Sequence, residues 1–199
     1  MGHKFADIMF TDQVKAIQKQ QGSYDNYQTW SQYDDFNFLI DEVIQQFLSQ
    51  RDSFYMASVN QDGWPYVQHR GGPKGFMKVI DQQTLGFADY RGNKQYVSAG
   101  NFQQNDKVSL FFMDYAKRRR LKILGRVSSV TLSQDKIIEQ LKMKGQPEKI
   151  ERGFLIKVEA YDWNCPKYIT QRYDGKQVQE LMDALIEENK NLREQLNQA

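Results

Sequence analysis

The sequence contains a single cysteine and only two histidines among its 199 residues. An internal disulfide is therefore impossible, which fits a reducing compartment. These residues do not form the Cys-x-x-Cys or His-x-x-x-His spacing of a protein-held zinc ion, so we expect no metal site. Neither a Gly-x-Ser-x-Gly elbow nor a Walker loop occurs, which argues against the hydrolases and P-loop enzymes that use those motifs.

Long apolar runs and a large net charge of either sign are also missing. No stretch reaches the roughly 18 apolar residues that span a bilayer, and residues 1–10 lack the apolar core of a signal peptide. The formal net charge is +2, and the basic run 117–120 is short. We therefore expect a cytoplasmic protein with no nucleic-acid or membrane partner.

Aromatic residues and strand-like alternation are abundant in place of these features. Aromatics make up 13% of the chain, and the alternation predicts strands at 53–60, 66–70, 76–80, 84–88, 107–113, 119–131 and 153–160. Apolar spacing predicts an amphipathic helix over 35–50, with Asp34 and Asp35 at its N-terminus. Shorter helical segments are expected near 11–20, 93–105 and 133–144. The pattern indicates a mainly β (α+β) fold, with six or seven antiparallel strands in a barrel or sandwich.

Three regions are expected along the chain: an N-terminal arm over 1–33, a main domain over 34–172, and a C-terminal helix over 173–199. In the last region the spacing is 4, 3, 4, 3, 4, as in the seam of a coiled coil; the residues are Val178, Met182, Leu185, Asn189, Leu192 and Leu196. Only two to three heptads are present. Pairing between chains and packing on the helix's own domain therefore both remain open.

Cationic and turn-forming residues cluster at strand ends, where a phosphate group could be bound. Segment 69–76 is His-Arg-Gly-Gly-Pro-Lys-Gly-Phe, in which Arg70 and Lys74 supply charge while the glycines allow close approach. The same composition also occurs in solvated β-turns. Segment 89–94 passes from a strand to a helical stretch, where an anion is favoured; its candidate residues are Asp89, Tyr90, Gly92, Asn93 and Lys94.

A segment with two large aromatic residues and a rigid Cys-Pro step follows the last predicted strand. Its candidate residues are Trp163, Asn164, Cys165, Pro166, Lys167 and Tyr168. Such side chains can border a flat ring system. We interpret Cys165 as a structural thiol, since no sequence feature indicates an activated thiolate.

These pieces occur in a specific order, which extends through 65–76, 85–90, 92–94, Ser98, 100–101, 110–115 and 119–126. The ordered set resembles the FMN-binding split barrel of the pyridoxamine 5'-phosphate oxidase-like superfamily. Within it, the chain is most similar to a bacterial branch that bears an Arg-Gly-Gly-Pro-x-Gly-Phe stretch and a later Asn-Cys-Pro stretch. The resemblance covers residues 35–170.

The resemblance implies a homodimer with two FMN sites at its interface. By similarity, the FMN phosphate is bound by His69 or Arg70, by Lys74, and by the stretch 92–94, of which only Lys94 keeps the family's cation. Arg120 takes the place of a flavin-contacting glutamine. The glycine-rich stretch supplies Gly72, Pro73, Gly75 and Phe76, the following helix supplies Ser98 and Asn101, and residues 163–168 border the ring from the same or the partner subunit.

The substrate does not follow from the resemblance. True pyridoxamine phosphate oxidases carry a late Arg-x-His stretch, whereas here helix 176–199 stands in that place. We therefore expect an FMN-dependent oxidoreductase acting on another small molecule, with NAD(P)H as a candidate donor and no assigned catalytic side chain; Tyr90, His69 and Cys165 are candidates. The rival interpretation is a non-catalytic dimeric module that holds flavin or haem, with His69 as the haem ligand.

Overall fold

Strands and short helices alternate along the chain. A computed structural model describes residues 3–32, 36–143, 145, 149–163 and 165–198. The helices are α1 (Lys4–Met9), α2 (Asp12–Gln20), α3 (Tyr24–Gln28), α4 (Glu42–Ser49), α5 (Val97–Asn101), α6 (Asp135–Leu141) and α7 (Gly175–Gln198), with a 3₁₀ turn at Thr29–Gln32. The strands are β1 (Ser53–Val59), β2 (Pro65–Gly71), β3 (Lys78–Asp81), β4 (Thr84–Tyr90), β5 (Lys107–Asp114), β6 (Arg119–Val130) and β7 (Ile150–Trp163).

Within the described ranges, the strands form one seven-stranded antiparallel sheet in the order β2-β1-β5-β6-β7-β4-β3. The sheet is strongly curled, because β1 and β4 are four positions apart in this order and yet place the rings of Phe54 and Phe87 5.5 Å apart. Apolar side chains on the inner face therefore enclose one core. The predicted fold class, a mainly β antiparallel split barrel with flanking helices and a C-terminal helix, is confirmed.

Alternation along the strands determines which side chains fill that core. On β7, Phe154, Ile156 and Val158 are fully buried, as the alternating pattern predicted. The same period-two burial recurs along β5, since successive side chains of a strand point to opposite faces.

The helix predicted over 35–50 is shorter than its apolar spacing suggested. It begins at Glu42, because the Asp41 carboxylate accepts a hydrogen bond of 2.8 Å from the Ile44 N–H and caps the first turn. The preceding Ile40 N–H instead donates to the Gln82 carbonyl in the β3–β4 turn. The prediction was wrong for 36–41, and the proposed caps Asp34 and Asp35 lie outside the described residues.

Helix α1 is tied to β7 through a buried asparagine. Asn37 is 2% exposed; its Oδ1 accepts from the Lys4 N–H at 3.0 Å, and its Nδ2 donates to the Tyr161 carbonyl at 2.8 Å. Both ends of the buried amide are thus satisfied, as burial of a polar group requires. The first helix of the arm is therefore fixed to the barrel by polar contacts as well as by packing.

Residues 114–119 and 166–199 form a compact unit separate from the rest of the chain. In this unit the Gln171 side chain donates to the Ala116 carbonyl at 2.7 Å, and the Arg172 guanidinium lies 5.1 Å from the Tyr115 ring centre. Its main element is α7, which confirms the predicted C-terminal helix. Among the described residues, no helix combines the length and apolar character that crossing a membrane requires.

Candidate functional site

A groove lies beside β2 and β4, next to the loop that leads into α5. It is lined by Tyr66, Gln68, Arg70, Asp89, Tyr90, Gly92, Asn93, Lys94, Gln95, Tyr96, Val97, Ser98, Ala99 and Glu151. Seven of the predicted site residues therefore meet in one place: Arg70, Asp89, Tyr90, Gly92, Asn93, Lys94 and Ser98.

The pleat of β2 decides which of its basic residues faces the groove. Successive side chains alternate between faces, so Gln68 and Arg70 share the groove side with Tyr66. His69 points to the other face, where its ring meets that of Tyr55 edge-on at 5.5 Å. Of the two alternatives proposed for this part of the site, the groove includes Arg70 and not His69.

Arg70 is fixed in place by an acidic residue of β4. Its Nη1 lies 2.8 Å from Oδ1 of Asp89, and the two side chains are 17% and 12% exposed. Arg152 of β7 flanks the pair, with its Nε 3.4 Å from Oδ2 of Asp89 and its Nη2 3.6 Å from Oε2 of Glu151. Two cations thus balance two carboxylates. The Arg70 Nε remains a buried donor without a hydrogen-bond partner among the described residues.

Lys94 adds a positive charge to this balanced cluster. No ion pair between described residues includes its ammonium group. Lys94 and Tyr96 have left-handed backbone angles, with φ of 63° and 53°, and such conformations in non-glycine residues concentrate at functional sites. With Arg152, which flanks the groove without lining it, this cluster holds three cations and two carboxylates, and Lys94 contributes its charge from a tightly turned loop.

Tyr96 anchors that loop to β7. Its hydroxyl donates to Oε1 of Glu151 at 3.1 Å, and the Arg152 guanidinium lies 5.1 Å from its ring centre. Desolvation raises the pKa of the Tyr96 phenol, and the hydrogen bond to the Glu151 carboxylate raises it further. The phenol therefore stays protonated at neutral pH and keeps donating this hydrogen bond.

Helix α5 contributes two polar side chains with different surroundings. Ser98 is 1% exposed, lines the groove, and donates from its Oγ to Oε1 of Gln68 at 2.9 Å. Asn101 instead donates from its Nδ2 to the Ser58 Oγ at 2.9 Å. Asn101 thus links α5 to β1 and does not line the groove.

The glycine-rich segment after β2 packs against the core. Phe76 is 3% exposed and stacks on Phe54, with ring centres 5.6 Å apart. A Cβ added to Gly72 would lie 2.8 Å from the Phe76 ring and 2.9 Å from the Met143 sulfur, and Gly75 has a φ of +75°. The predicted residues Gly72, Pro73, Lys74, Gly75 and Phe76 do not line the groove, and the turn and the core account for both glycines.

A second group of predicted residues lies at the other end of β7. Arg120 donates from its Nη2 to the Cys165 carbonyl at 3.3 Å, and Trp163 pairs with Leu121 and meets the Phe47 ring edge-on at 4.9 Å. Glu151 and Trp163 are twelve positions apart on one strand, about 40 Å along the strand at its usual rise. Within the chain, the groove and this group are not brought together.

The remaining residues of this late segment fall elsewhere. Asn164 lies outside the described residues. Pro166, Lys167 and Tyr168 belong to the unit that contains α7, where Tyr168 is 91% exposed and its ring centre lies 5.2 Å from the Lys167 Nζ. Among the residues that the structure describes, no three His, Cys, Asp or Glu side chains form a group that could hold a metal ion.

Several groove residues did not emerge from the sequence. Strand alternation could have given Tyr66 and Gln68, since both share parity with Arg70. No sequence pattern marks Tyr96 or Glu151 as a site residue. Their contact depends on the pairing of β4 with β7, which brings Tyr90 opposite Ile150.

The Arg70–Asp89 pair gives a stability prediction. Replacing Arg70 with alanine leaves a largely buried carboxylate without its nearest cation, and we expect a loss of about 1–3 kcal/mol in the free energy of unfolding. Urea denaturation measures this loss. The double variant Arg70→Ala/Asp89→Asn should recover part of it. The control is Arg126→Ala, which breaks the half-exposed pair with Asp106 and should cost less; equal losses for the two arginines would contradict the assignment.

Comparison with known proteins places this architecture in a class. The family model described as pyridoxamine 5'-phosphate oxidase matches residues 40–162. No protein of curated function matches the chain. Among solved structures, a variant of HupZ from Group A Streptococcus is 17% identical, covers 63% of this chain and 100% of its own, and has a TM-score of 0.49.

Two further solved structures are similar at the same level. An FMN-binding protein from Syntrophomonas wolfei is 11% identical, with 62% of this chain and 90% of that chain covered and a TM-score of 0.46. A Clostridium acetobutylicum protein related to general stress protein 26 of the pyridoxinephosphate oxidase family is 13% identical, with 60% and 83% covered and a TM-score of 0.45.

The curled seven-stranded antiparallel sheet described above is that of a split β-barrel. Because the family model spans more than half of the chain, the protein belongs to the pyridoxamine 5'-phosphate oxidase family. The predicted resemblance to this family is confirmed, and the assignment to a particular bacterial branch stays a prediction.

Proposed function

We propose that this protein binds FMN in the groove beside β2 and β4, and that it acts as a homodimeric, FMN-dependent oxidoreductase on a small molecule. Membership in the pyridoxamine 5'-phosphate oxidase family supports a flavin cofactor. The observation that carries the proposal is the Lys94 ammonium, which forms no ion pair among the described residues and lies beside two arginines and two carboxylates that balance each other.

The groove residues fit a phosphate group. A phosphate needs fixed cations and hydrogen-bond donors. Lys94 supplies a charge with no ion-pair partner among the described residues, and the Arg70 Nε is a buried donor without a partner among them. Ser98 lines the groove, where its hydroxyl could turn from Gln68 to the phosphate. The Asp89 carboxylate would hold the Arg70 guanidinium group in position. The Arg152 cation would offset the repulsion between the Glu151 carboxylate and a bound anion. Lys74, the other cation predicted in segment 69–76, does not line the groove. Its role in phosphate binding stays a prediction.

The second group of residues supports a dimeric site. Arg120 has a buried Nε without a hydrogen-bond partner among the described residues, and it lies at the far end of β7 from the groove. A second copy of the chain would be needed to place Arg120 and Trp163 of one protomer near the groove of the other. In that position the Arg120 cation would stabilise negative charge at the N1–C2 edge of a reduced flavin.

The chemistry of electron transfer would come from the cofactor. Bound FMN would supply hydride transfer at its N5, and the chain would supply its position and electrostatics. Tyr96, Glu151 and Arg152 would hold the loop that carries Lys94, so that the phosphate site is formed before the cofactor arrives. We further propose that the substrate is a small molecule and that NAD(P)H is the electron donor.

The cofactor test is extraction from the purified protein. Heat-denatured protein should release a flavin that co-elutes with FMN in chromatography, and the native protein should absorb near about 375 and 450 nm. A Soret band with no released flavin would overturn the proposal and favour a haem-binding module. A released flavin without phosphate would contradict the role given to Lys94.

Turnover separates an enzyme from a flavin carrier. The FMN-loaded protein should oxidise NAD(P)H in repeated cycles when an electron acceptor is present, as a flavin-dependent oxidoreductase does. Bound FMN that hydride donors do not reduce would support the non-catalytic alternative instead.

A further inference from the structure

Helix α7 exposes an apolar seam on one side. All five apolar seam residues are at least 43% exposed: Val178, Met182, Leu185, Leu192 and Leu196, with exposures of 43%, 50%, 62%, 51% and 77%. The outward positions of the same helix carry Glu180, Glu187 and Glu194. The helix thus has one apolar and one acidic side over 24 residues, which is the pattern of a helix that needs a partner.

The spacing assigns a heptad position to each residue. Met182, Asn189 and Leu196 take position a, and Val178, Leu185 and Leu192 take position d. Beside this seam, position g holds Leu181, Glu188 and Gln195, and position e holds Gln179, Ile186 and Arg193. The flanking positions therefore specify which partner fits.

We propose that α7 pairs with α7 of a second copy of this chain in a parallel, in-register coiled coil. In that arrangement a residue at g faces the e residue five positions later on the partner. Glu188 then meets Arg193 of the second copy, and Leu181 meets Ile186, on both sides of the seam. Asn189 meets Asn189, and a single buried asparagine at position a favours such a parallel pair.

The antiparallel alternative pairs the same residues poorly. Its best alignment places Leu185 opposite Asn189, so a buried amide would face an apolar side chain. It also brings Glu188 close to Glu188 of the other copy and leaves Arg193 near Gln179. Charge complementarity therefore selects the parallel orientation.

Three heptads form a short coil, and isolated peptides of this length associate weakly. In the homodimer that we propose for the barrel, the two helices would be tethered, which raises their effective concentration to about the millimolar range. A parallel in-register coil is also isologous and so compatible with a twofold dimer. The inference itself does not depend on flavin binding.

Disulfide trapping in the full-length protein tests the arrangement. In a Cys165→Ser background, Leu185→Cys places one thiol at position d, where a parallel coil brings two copies face to face. Under mild oxidation, its covalent dimer should form at least about tenfold faster than that of the matched control Glu187→Cys on the outer face. Equal rates would overturn the proposal, because helices that pack on their own domain or pair antiparallel do not juxtapose the two copies of position 185.

Charge reversal provides the second readout. Added to Leu185→Cys, either Glu188→Arg or Arg193→Glu should slow trapping about threefold, and the two together should restore the rate. Residues 188 and 193 are five apart and cannot contact each other within one helix, so restoration reports pairing between helices. Failure of the double variant to recover would contradict the parallel register. FMN titration of the same samples shows separately whether the flavin proposal holds.

Discussion

Replacing Lys94 with glutamate is expected to weaken FMN binding at least about 100-fold, while riboflavin affinity changes little. A hydrogen bond to a charged group contributes roughly 1.5–3 kcal/mol, and each 1.4 kcal/mol is about tenfold in affinity. The substitution removes the groove cation that has no ion-pair partner among the described residues, and it adds a carboxylate that would repel the phosphate. Riboflavin lacks that phosphate, so it reports the ring contacts alone.

Flavin fluorescence titration measures both affinities on the same variant. Lys142→Glu is the matched control, since Lys142 lies just after α6, outside the groove, and pairs with Glu139 at 3.2 Å; it should bind FMN as the unchanged chain does. Equal losses for FMN and riboflavin would place the phosphate elsewhere. Unchanged affinities for both FMN and riboflavin would show that Lys94 does not contribute to cofactor binding.

Replacing Phe54 with alanine should lower the free energy of unfolding by about 3–5 kcal/mol. Phe54 is 1% exposed, and its ring centre lies 5.6 Å from that of Phe76, 5.5 Å from Phe87 and 5.0 Å from Phe112. The substitution leaves a cavity at the point where β1 meets β4 across the curled sheet, so transfer and cavity costs add.

The neighbouring residue supplies the control. Tyr55 is 42% exposed on the opposite face of β1, so Tyr55→Ala should cost less than about half as much. Urea denaturation followed by far-UV circular dichroism compares the two. Similar losses in the free energy of unfolding for the two variants would mean that Phe54 is not packed in the barrel core.

The strands were predictable because burial on one face imposes a period of two on the sequence. The alternation of Phe154, Ile156 and Val158 is visible without any structure. The start of α4 could not be predicted from the sequence, because the spacing of Phe36, Leu39 and Ile40 continues the helical period by coincidence. The Asp41 cap and the bond from Ile40 to Gln82 decide the boundary.

The site was predictable as far as local segments determine it. The turn after β4 was singled out for Lys94, and the structure places that turn in the groove with Arg70. The choice between Arg70 and His69 needed the orientation of β2, which its own residues do not reveal. Glu151 lies 55 residues from Tyr96, and only strand pairing brings them together.

The glycine-rich segment has structural reasons for its glycines that are independent of any ligand. Gly72 and Gly75 were singled out because glycine allows a phosphate to approach closely, and the structure gives each a further reason, the Phe76 ring for Gly72 and a positive φ for Gly75. A glycine required by a close contact and one required by a ligand look the same in a sequence.

Titration of the cofactor-free protein with FMN shows whether the chain binds this cofactor through its phosphate. We predict saturable binding of one FMN per chain, with tighter binding of FMN than of riboflavin because the groove would hold the phosphate. Refolded, homogeneous protein that shows no saturable affinity for FMN would contradict it.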